Sequence, residues 1–325
     1  MTPLYGHDDA VAAFRDALDS GRLHHAWLIS GPQGVGKALF AAKAALRVLA
    51  QGQGRVAAPG LDVPDDHPAA HLVAAGSHPD LMRLERLPRE NSATGELARS
   101  INVDQVRGLQ RLFNTTASLS PWRVVIVDSI DDLERNAANA LLKNLEEPPA
   151  SSLFLLVSHA PERLLPTIRS RCRPLRLSAL DDDAMTSALR AALPEADARE
   201  ISDLAAAGQG SPGRAVAWRG LDVAGLDRAM AQLVRDGDPT NARRAALAQS
   251  LALKAAQPRY EAFLARAPSA IAAEARARRG AALADALRTW ERAQGLAASA
   301  RGLSLEPESV VFELAGMLAS LAPTR

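Results

Sequence analysis

At 325 residues the chain is long enough for two or three domains, and 47% hydrophobic against 23% charged residues excludes a disordered polymer. A net charge of +1 supplies no whole-molecule attraction to nucleic acid, and 4% aromatics count against a stacking platform for single strands. The single cysteine, Cys172, excludes an intrachain disulfide and a cysteine-cluster metal site. No apolar run approaches the ~18 residues of a membrane span, and the N-terminus lacks a short apolar signal core, so a cytoplasmic protein without membrane contact is expected.

Residues 1–25 read as a short helix and a loop, with Asp8 and Asp9 as caps and Val11, Phe14 and Leu18 at helical spacing. Ala26-Trp27-Leu28-Ile29 is the first strand. Gly31-Pro32-Gln33-Gly34-Val35-Gly36-Lys37-Ala38 follows, and a helical pattern then runs to about Ala50. Strand, glycine-rich loop, Lys and helix is the order of a phosphate cradle: backbone N–H groups curl around phosphate oxygens and the Lys reaches the outer phosphates. The last position departs from the pattern, because Ala38 has no hydroxyl for Mg²⁺.

Residues 52–76 are rich in Gly, Pro, Ala and Asp and read as a surface excursion; His67, His71 and His78 lack the companions a metal site needs. His78-Pro79-Asp80 leads into a strand at Leu81-Met82-Arg83-Leu84, and 87–100 reads as a polar loop. Ile101-Asn102-Val103-Asp104 opens a helix with Val106, Leu109, Leu112 and Phe113 on one stripe. Val124-Val125-Ile126-Val127 is a strand buried on both faces, ending in Asp128. A helix over about 135–145 stops at Pro148-Pro149, and 153–157 is another buried strand ending in Ser158-His159. A turn and short helix carry 163–168, Arg169, Arg171 and Arg173 cluster beyond them, and 174–177 closes a doubly wound α/β domain.

Composition shifts at Asp181-Asp182-Asp183, which caps two or three short helices reaching Trp218 around the break at Gly208-Gln209-Gly210-Ser211-Pro212-Gly213. Everything beyond Gly220 reads as a helical bundle. Its apolar stripes are Val223, Leu226, Met230 and Leu233; 247–253; Leu283, Leu287 and Trp290; and Val311, Leu314 and Leu318.

A phosphate-hydrolysing site needs a cradle, a hydroxyl and an Asp on the metal, a carboxylate to orient water, and an arginine near the γ-phosphate. Lys37 and Asp128 fit two of these roles. Ser129 stands where the water-orienting Glu is usual and is no base near neutral pH. Asp131 and Asp132 are displaced by a helical start and read as caps of the helix at 133–135. Two losses, at Ala38 and Ser129, argue against hydrolysis.

Three ordered motifs resemble the clamp-loader branch of the AAA+ ATPases. They are 31–37, then Asn139-Ala140-Leu141-Leu142-Lys143-Asn144-Leu145-Glu146-Glu147-Pro148-Pro149, then Leu164-Leu165-Pro166-Thr167-Ile168-Arg169-Ser170-Arg171-Cys172. Weaker matches at 78–80 and 101–112 extend the resemblance over 1 to about 220. It implies a P-loop (RecA-like AAA+) core over 1–178, a helical lid over 179–220 and an all-α collar for oligomerisation over 221–325. It further implies a non-hydrolysing subunit of a DNA-directed DNA polymerase III complex that supports loading of the sliding clamp during DNA replication. The expected partners are gamma/tau motor subunits and a delta subunit, with the clamp met indirectly and primer-template DNA through the complex.

By the same resemblance Arg171 is an arginine finger acting in trans, with Cys172 a small buried residue positioning it. The nucleotide positions, vestigial in this reading, are Gly31, Gly34, Gly36, Lys37, Ala38, Asp128, Ser158 and Arg214. For Arg214 a nucleotide-sensing and a capping role both stay open. ATP binding without hydrolysis is open too, because Lys37 and its glycines are intact. Many relatives carry a four-cysteine zinc module where 52–76 has no cysteine, so no metal is expected. A working ATPase in which Asp131 or another carboxylate substitutes, and a free-standing DNA-binding adaptor, are the competing readings.

Overall fold

A computed structural model describes residues 2–89, 97–303 and 305–323; residues 90–96, part of the expected polar loop, lie outside the described residues. The chain divides into two compact units, 1–215 and 216–325.

In the first unit, helix α1 (Asp8–Asp19) precedes strand β1 (Ala26–Ser30), and α2 (Lys37–Gln53) and α3 (Pro68–Ala74) precede β2 (Leu81–Glu85). Helices α4 (Val103–Arg107) and α5 (Leu109–Asn114) lead to β3 (Arg123–Asp128), and α6 (Arg135–Glu146) to β4 (Ser152–Ser158). The four-residue α7 (Pro166–Arg169) leads to β5 (Arg173–Arg176), followed by α8 (Asp182–Ala192), α9 (Ala198–Gly208) and α10 (Pro212–Ala217). The five strands form one parallel sheet in the order β2-β3-β4-β1-β5.

Alternation of side chains along a strand explains how the sheet buries both faces. Trp27 and Ile29 of β1, Val124 and Ile126 of β3, and Leu153, Leu155 and Val157 of β4 join α1 and α2 in one core. Ala26 and Leu28, Val125 and Val127, and Phe154 and Leu156 face the other way, into a core with α4, α5, α6 and α7. Trp27 is fully buried, with its ring 5.0 Å from that of Phe14. The unbroken apolar runs are therefore a consequence of helices on both sides.

Several local expectations are corrected. Asp8 and Asp9 lie in the first turn of α1, where they complement the helix dipole; the capping position is His7, with a left-handed backbone and no side-chain cap. The stripe opening at 101 is two helices, because the chain turns at Gly108, and its start is a reciprocal capping box between Asn102 and Gln105.

The excursion at 52–76 is organised rather than loose. Arg47, 2% exposed, donates through Nη1 to the carbonyls of Ala58 (2.9 Å) and Asp62 (2.8 Å) and through Nη2 to that of Val56 (3.1 Å). Lys43 Nζ meets Asp62 Oδ1 at 2.6 Å. His67 caps α3 through Nδ1, 3.1 Å from the Ala69 N–H, and His78 Nδ1 accepts from the Asp80 N–H at 3.2 Å. Among the described residues no three His, Cys, Asp or Glu side chains are grouped to hold a metal ion.

The second unit consists of α11 (Val223–Asp236), α12 (Ala242–Ala252), α13 (Gln257–Arg276), α14 (Gly280–Leu303) and α15 (Pro307–Ala319). Leu226, Met230 and Leu233 of α11, Phe263 and Ile271 of α13, and Val311, Leu314 and Leu318 of α15 are buried in this unit. The expected stripe of α14 is corrected: Leu287 is 44% exposed, and Ala286, Ala293, Ala297 and Ala300 face inward. Leu283 and Trp290 are half-buried, so only Leu287 departs from the expected stripe. Among the described residues no helix is long and apolar enough to cross a membrane.

Replacing Arg47 by Met leaves three carbonyls, that of Val56 buried, without their donor. The Arg47→Met variant is expected to unfold with about 3 kcal/mol less stability, from the usual worth of hydrogen bonds to a charged group. Denaturant titration checks this, with Arg55→Met, at an exposed neighbour, as the control that stays near wild type.

Candidate functional site

The loop over 31–36 leaves the carboxyl end of β1 and feeds the N-terminus of α2, a 17-residue helix of strong helix formers. Gly31, Gly34 and Gly36 have φ of 147°, 81° and 109°, conformations that L side chains rarely adopt. The surroundings are equally restrictive at two of them. A Cβ on Gly31 would sit 2.2 Å from the Leu177 carbonyl oxygen, and one on Gly34 would sit 2.5 Å from the Arg214 nitrogen. The loop thus has the backbone shape of a phosphate cradle.

Lys37 is the first residue of α2, and its Nζ donates to the carbonyls of Gly31 and Pro32, each at 2.7 Å. It is 3% exposed, and burial pushes its pKa down to about 8. The charges of Asp131 and Asp128 pull the other way, and that of Arg214 adds to the depression. Residues 31–37 therefore fit a phosphate group in shape and donor chemistry. Ala38 offers only a methyl group where a magnesium ligand would be needed.

The carboxylates around Lys37 have partners within the chain. Asp128, at the end of β3, meets Arg83 of the neighbouring β2 at 2.6 Å, and Arg83 also meets Glu85 at 2.9 Å. Ser129 is 2% exposed, and its hydroxyl has no partner among the described residues. Asp131 does not cap a helix, which corrects the expectation: the position before α6 is Glu134, with no side-chain cap. Instead Asp131 accepts from the Ser158 hydroxyl at 3.0 Å and from the N–H groups of His159 at 2.6 Å and Ala160 at 3.1 Å. It ties the end of β3 to the end of β4 and occupies the hydroxyl of the fully buried Ser158. Burial first, then the nearby charge of Lys37, hold the His159 pKa below its ordinary value.

Residues 211–214 complete this side of the site. The Gly213 N–H donates to the Gly34 carbonyl at 2.8 Å, and Arg214 Nη2 to that of Gln33 at 3.4 Å. Arg214, 181 positions downstream of Gln33, is thereby brought onto the loop backbone. Sequence reasoning gave Asp80 no role, although His78-Pro79-Asp80 marked the place. Its buried carboxylate accepts the N–H groups of Ser118 (2.8 Å), Leu119 (2.8 Å) and Ser120 (3.0 Å) and so fixes the entry to β3.

Arg171 stands apart from this group. It follows α7, and its Nη2 meets Glu146 Oε1 at 2.8 Å while Nη1 donates to the Thr167 carbonyl at 2.9 Å. Its side chain is 35% exposed. The charges that act on Lys37 are those of Asp131, Asp128 and Arg214, and Arg171 is not among them. Cys172 beside it is buried, and burial pushes its thiol up to about 12, which rules out a thiolate nucleophile near neutral pH.

A family model described as DNA polymerase III, delta subunit, matches residues 6–181. The DNA polymerase III subunit delta' of Pseudomonas aeruginosa is 39% identical over 188 residues, 58% of this chain and 53% of that protein. Subunit delta' of Escherichia coli is 36% identical over 230 residues, 68% of this chain and 64% of that protein. The chain belongs to the DNA polymerase III delta-prime family. Subunit tau of Escherichia coli is also similar, at 31% identity over 64% of this chain and 30% of that protein. The matches to the two delta-prime relatives span about half to under two thirds of their length. Within this delta-prime family member, the matched span covers the phosphate loop, Asp128, Asp131, Ser158 and Arg171.

The depressed pKa of Lys37 has a measurable consequence. Between about 8 and its ordinary 10.5 the unfolded chain binds the Lys37 proton and the folded chain does not, so stability from this residue rises with pH across that window. Wild type is expected to gain stability relative to Lys37→Met from pH 8 to pH 10.5, with a constant difference below pH 8. Paired urea titrations across this range check it.

Proposed function

We propose that this chain is a non-hydrolysing subunit of a clamp loader, and that it donates Arg171 in trans to the ATP site of a neighbouring motor subunit. The observation that carries this reading is Asp131. It is the carboxylate whose charge acts most strongly on Lys37, and it already accepts three hydrogen bonds from Ser158, His159 and Ala160. Ala38 and Ser129 lack the other groups that hydrolysis needs, and Asp128 is ion-paired to Arg83.

In this reading Gly31, Gly34, Gly36 and Lys37 hold nucleotide phosphate without turning it over, and Arg214 lies beside the loop to sense it. The core over 1–178 has the AAA+ architecture, 179–220 is the lid and 221–325 is a collar that holds the ring together. The partners are gamma/tau motor subunits and a delta subunit in the cytoplasm. The sliding clamp and primer-template DNA are met through the complex. A cation at the transferring phosphoryl offsets the charge that spreads over its oxygens, which is the chemistry Arg171 supplies.

The test is ATP turnover by reconstituted complex in which only this chain is altered. Arg171→Ala is expected to lower clamp-stimulated turnover by ~10³ or more, and Lys37→Ala to lower it far less. The isolated chain is expected to show no turnover. If Lys37→Ala is the damaging change and the isolated chain hydrolyses ATP, the chain is a motor and this reading is wrong.

A further inference from the structure

The arginine at the centre of the proposed function does not stand unsupported. Glu146, the last residue of α6, reaches it from a separate element at 2.8 Å. Two features make this more than a casual surface ion pair. First, both residues are held by immediate neighbours in one core. Leu145, preceding Glu146, is 1% exposed and Cys172, following Arg171, is 9% exposed; both pack with Ile168 in the same hydrophobic cluster. The Leu145 carbonyl is further tied to His25 Nε2 at 3.2 Å. Second, a carboxylate in the last helical turn faces the negative end of the helix dipole, an unfavourable place for it without a cationic partner.

We propose that Glu146 is the positioning residue for Arg171, orienting the guanidinium so that its outward N–H groups meet a phosphate of the neighbouring subunit. This rests on the reading of Arg171 as a finger in trans. Of the guanidinium nitrogens, Nη2 is ion-paired with Glu146 at 2.8 Å, and Nη1 donates to the Thr167 carbonyl and faces the Ser170 hydroxyl at 3.5 Å. The N–H groups of Nε and Nη2 make no hydrogen bond among the described residues and are left for phosphate oxygens. With two anchors on two packed elements, the side chain gives up part of its rotamer freedom before the subunits meet. Less ordering then remains for the transition state. The ion pair is about one third exposed on both sides, so it adds little to folding stability and its effect falls on orientation.

The experiment uses the fully reconstituted loader with Glu146→Ala, Glu146→Gln, Arg171→Ala and the double variant Glu146→Ala/Arg171→Ala. Assembly is checked by gel filtration, and kcat and KM for ATP are measured separately. Glu146→Ala is expected to lower kcat about tenfold with KM unchanged. Glu146→Gln keeps an acceptor oxygen and is expected to recover most of that loss, and the double variant to match Arg171→Ala alone. If Glu146→Ala turns over at or above the wild-type rate while Arg171→Ala is impaired, the positioning role is overturned and the finger stands. A Glu146→Ala loss that adds fully to that of Arg171→Ala also overturns it. If Arg171→Ala itself turns over normally, the finger reading has failed, and the positioning role fails with it.

Discussion

Strand β1 is the constraint from which the site follows. It is hydrogen-bonded to β4 on one edge and β5 on the other, and its apolar residues are buried on both faces of the sheet. A strand so enclosed cannot shift register by one residue, because that would carry Trp27 into the space of Ala26 or Leu28. The loop that leaves its carboxyl end therefore starts from a fixed point. That point is bounded by the Leu177 backbone against Gly31 and by the Arg214 backbone against Gly34. The phosphate-cradle shape is imposed from outside the loop as much as by its glycines.

Within that frame the polar groups neutralise one another. Lys37 lies on two carbonyls of its own loop, Asp128 on Arg83, and Asp131 on the start of the segment after β4. Their strengths differ. The Asp128–Arg83 pair is partly exposed and contributes about 0–1 kcal/mol, so it would yield readily to a competitor. Asp131 accepts three hydrogen bonds, each worth about 1.5–3 kcal/mol to a charged group, and releasing it would also loosen the ends of two central strands. Asp131 is thus the more firmly held of the two carboxylates. It joins the segment after β3 to the end of β4 at the carboxyl edge of the sheet.

The arginine loop obeys a different logic. Its backbone is anchored by Ile168 and Cys172 in the core under α6, while the Arg171 side chain projects to the surface. The base is fixed by burial and the tip is left at the surface. The cysteine contributes small size and burial, and its raised thiol pKa is a by-product of that burial.

Much of this was legible before any coordinates. The runs at β3 and β4 are apolar throughout because both sheet faces are covered, and the glycines at 31, 34 and 36 stand where the backbone takes positive φ. The losses at Ala38 and Ser129 are matters of residue identity and needed no fold. What a linear pattern could not carry was pairing over long separations. Arg83 with Asp128, Asp131 with Ser158, Gly213 with Gly34 and Glu146 with Arg171 are neighbours only because parallel strands bring distant segments to one edge. Periodicity misjudged one position of α14. Leu283 and Trp290 are half-buried as expected, but Leu287 is exposed and the fully buried positions are alanines. The sequence by itself determined which chemical groups exist at each strand end, since identity and local propensity are written residue by residue. Which of them are already engaged, and which face outward, was decided only by the tertiary structure, because hydrogen bonds and ion pairs depend on distances that folding alone creates.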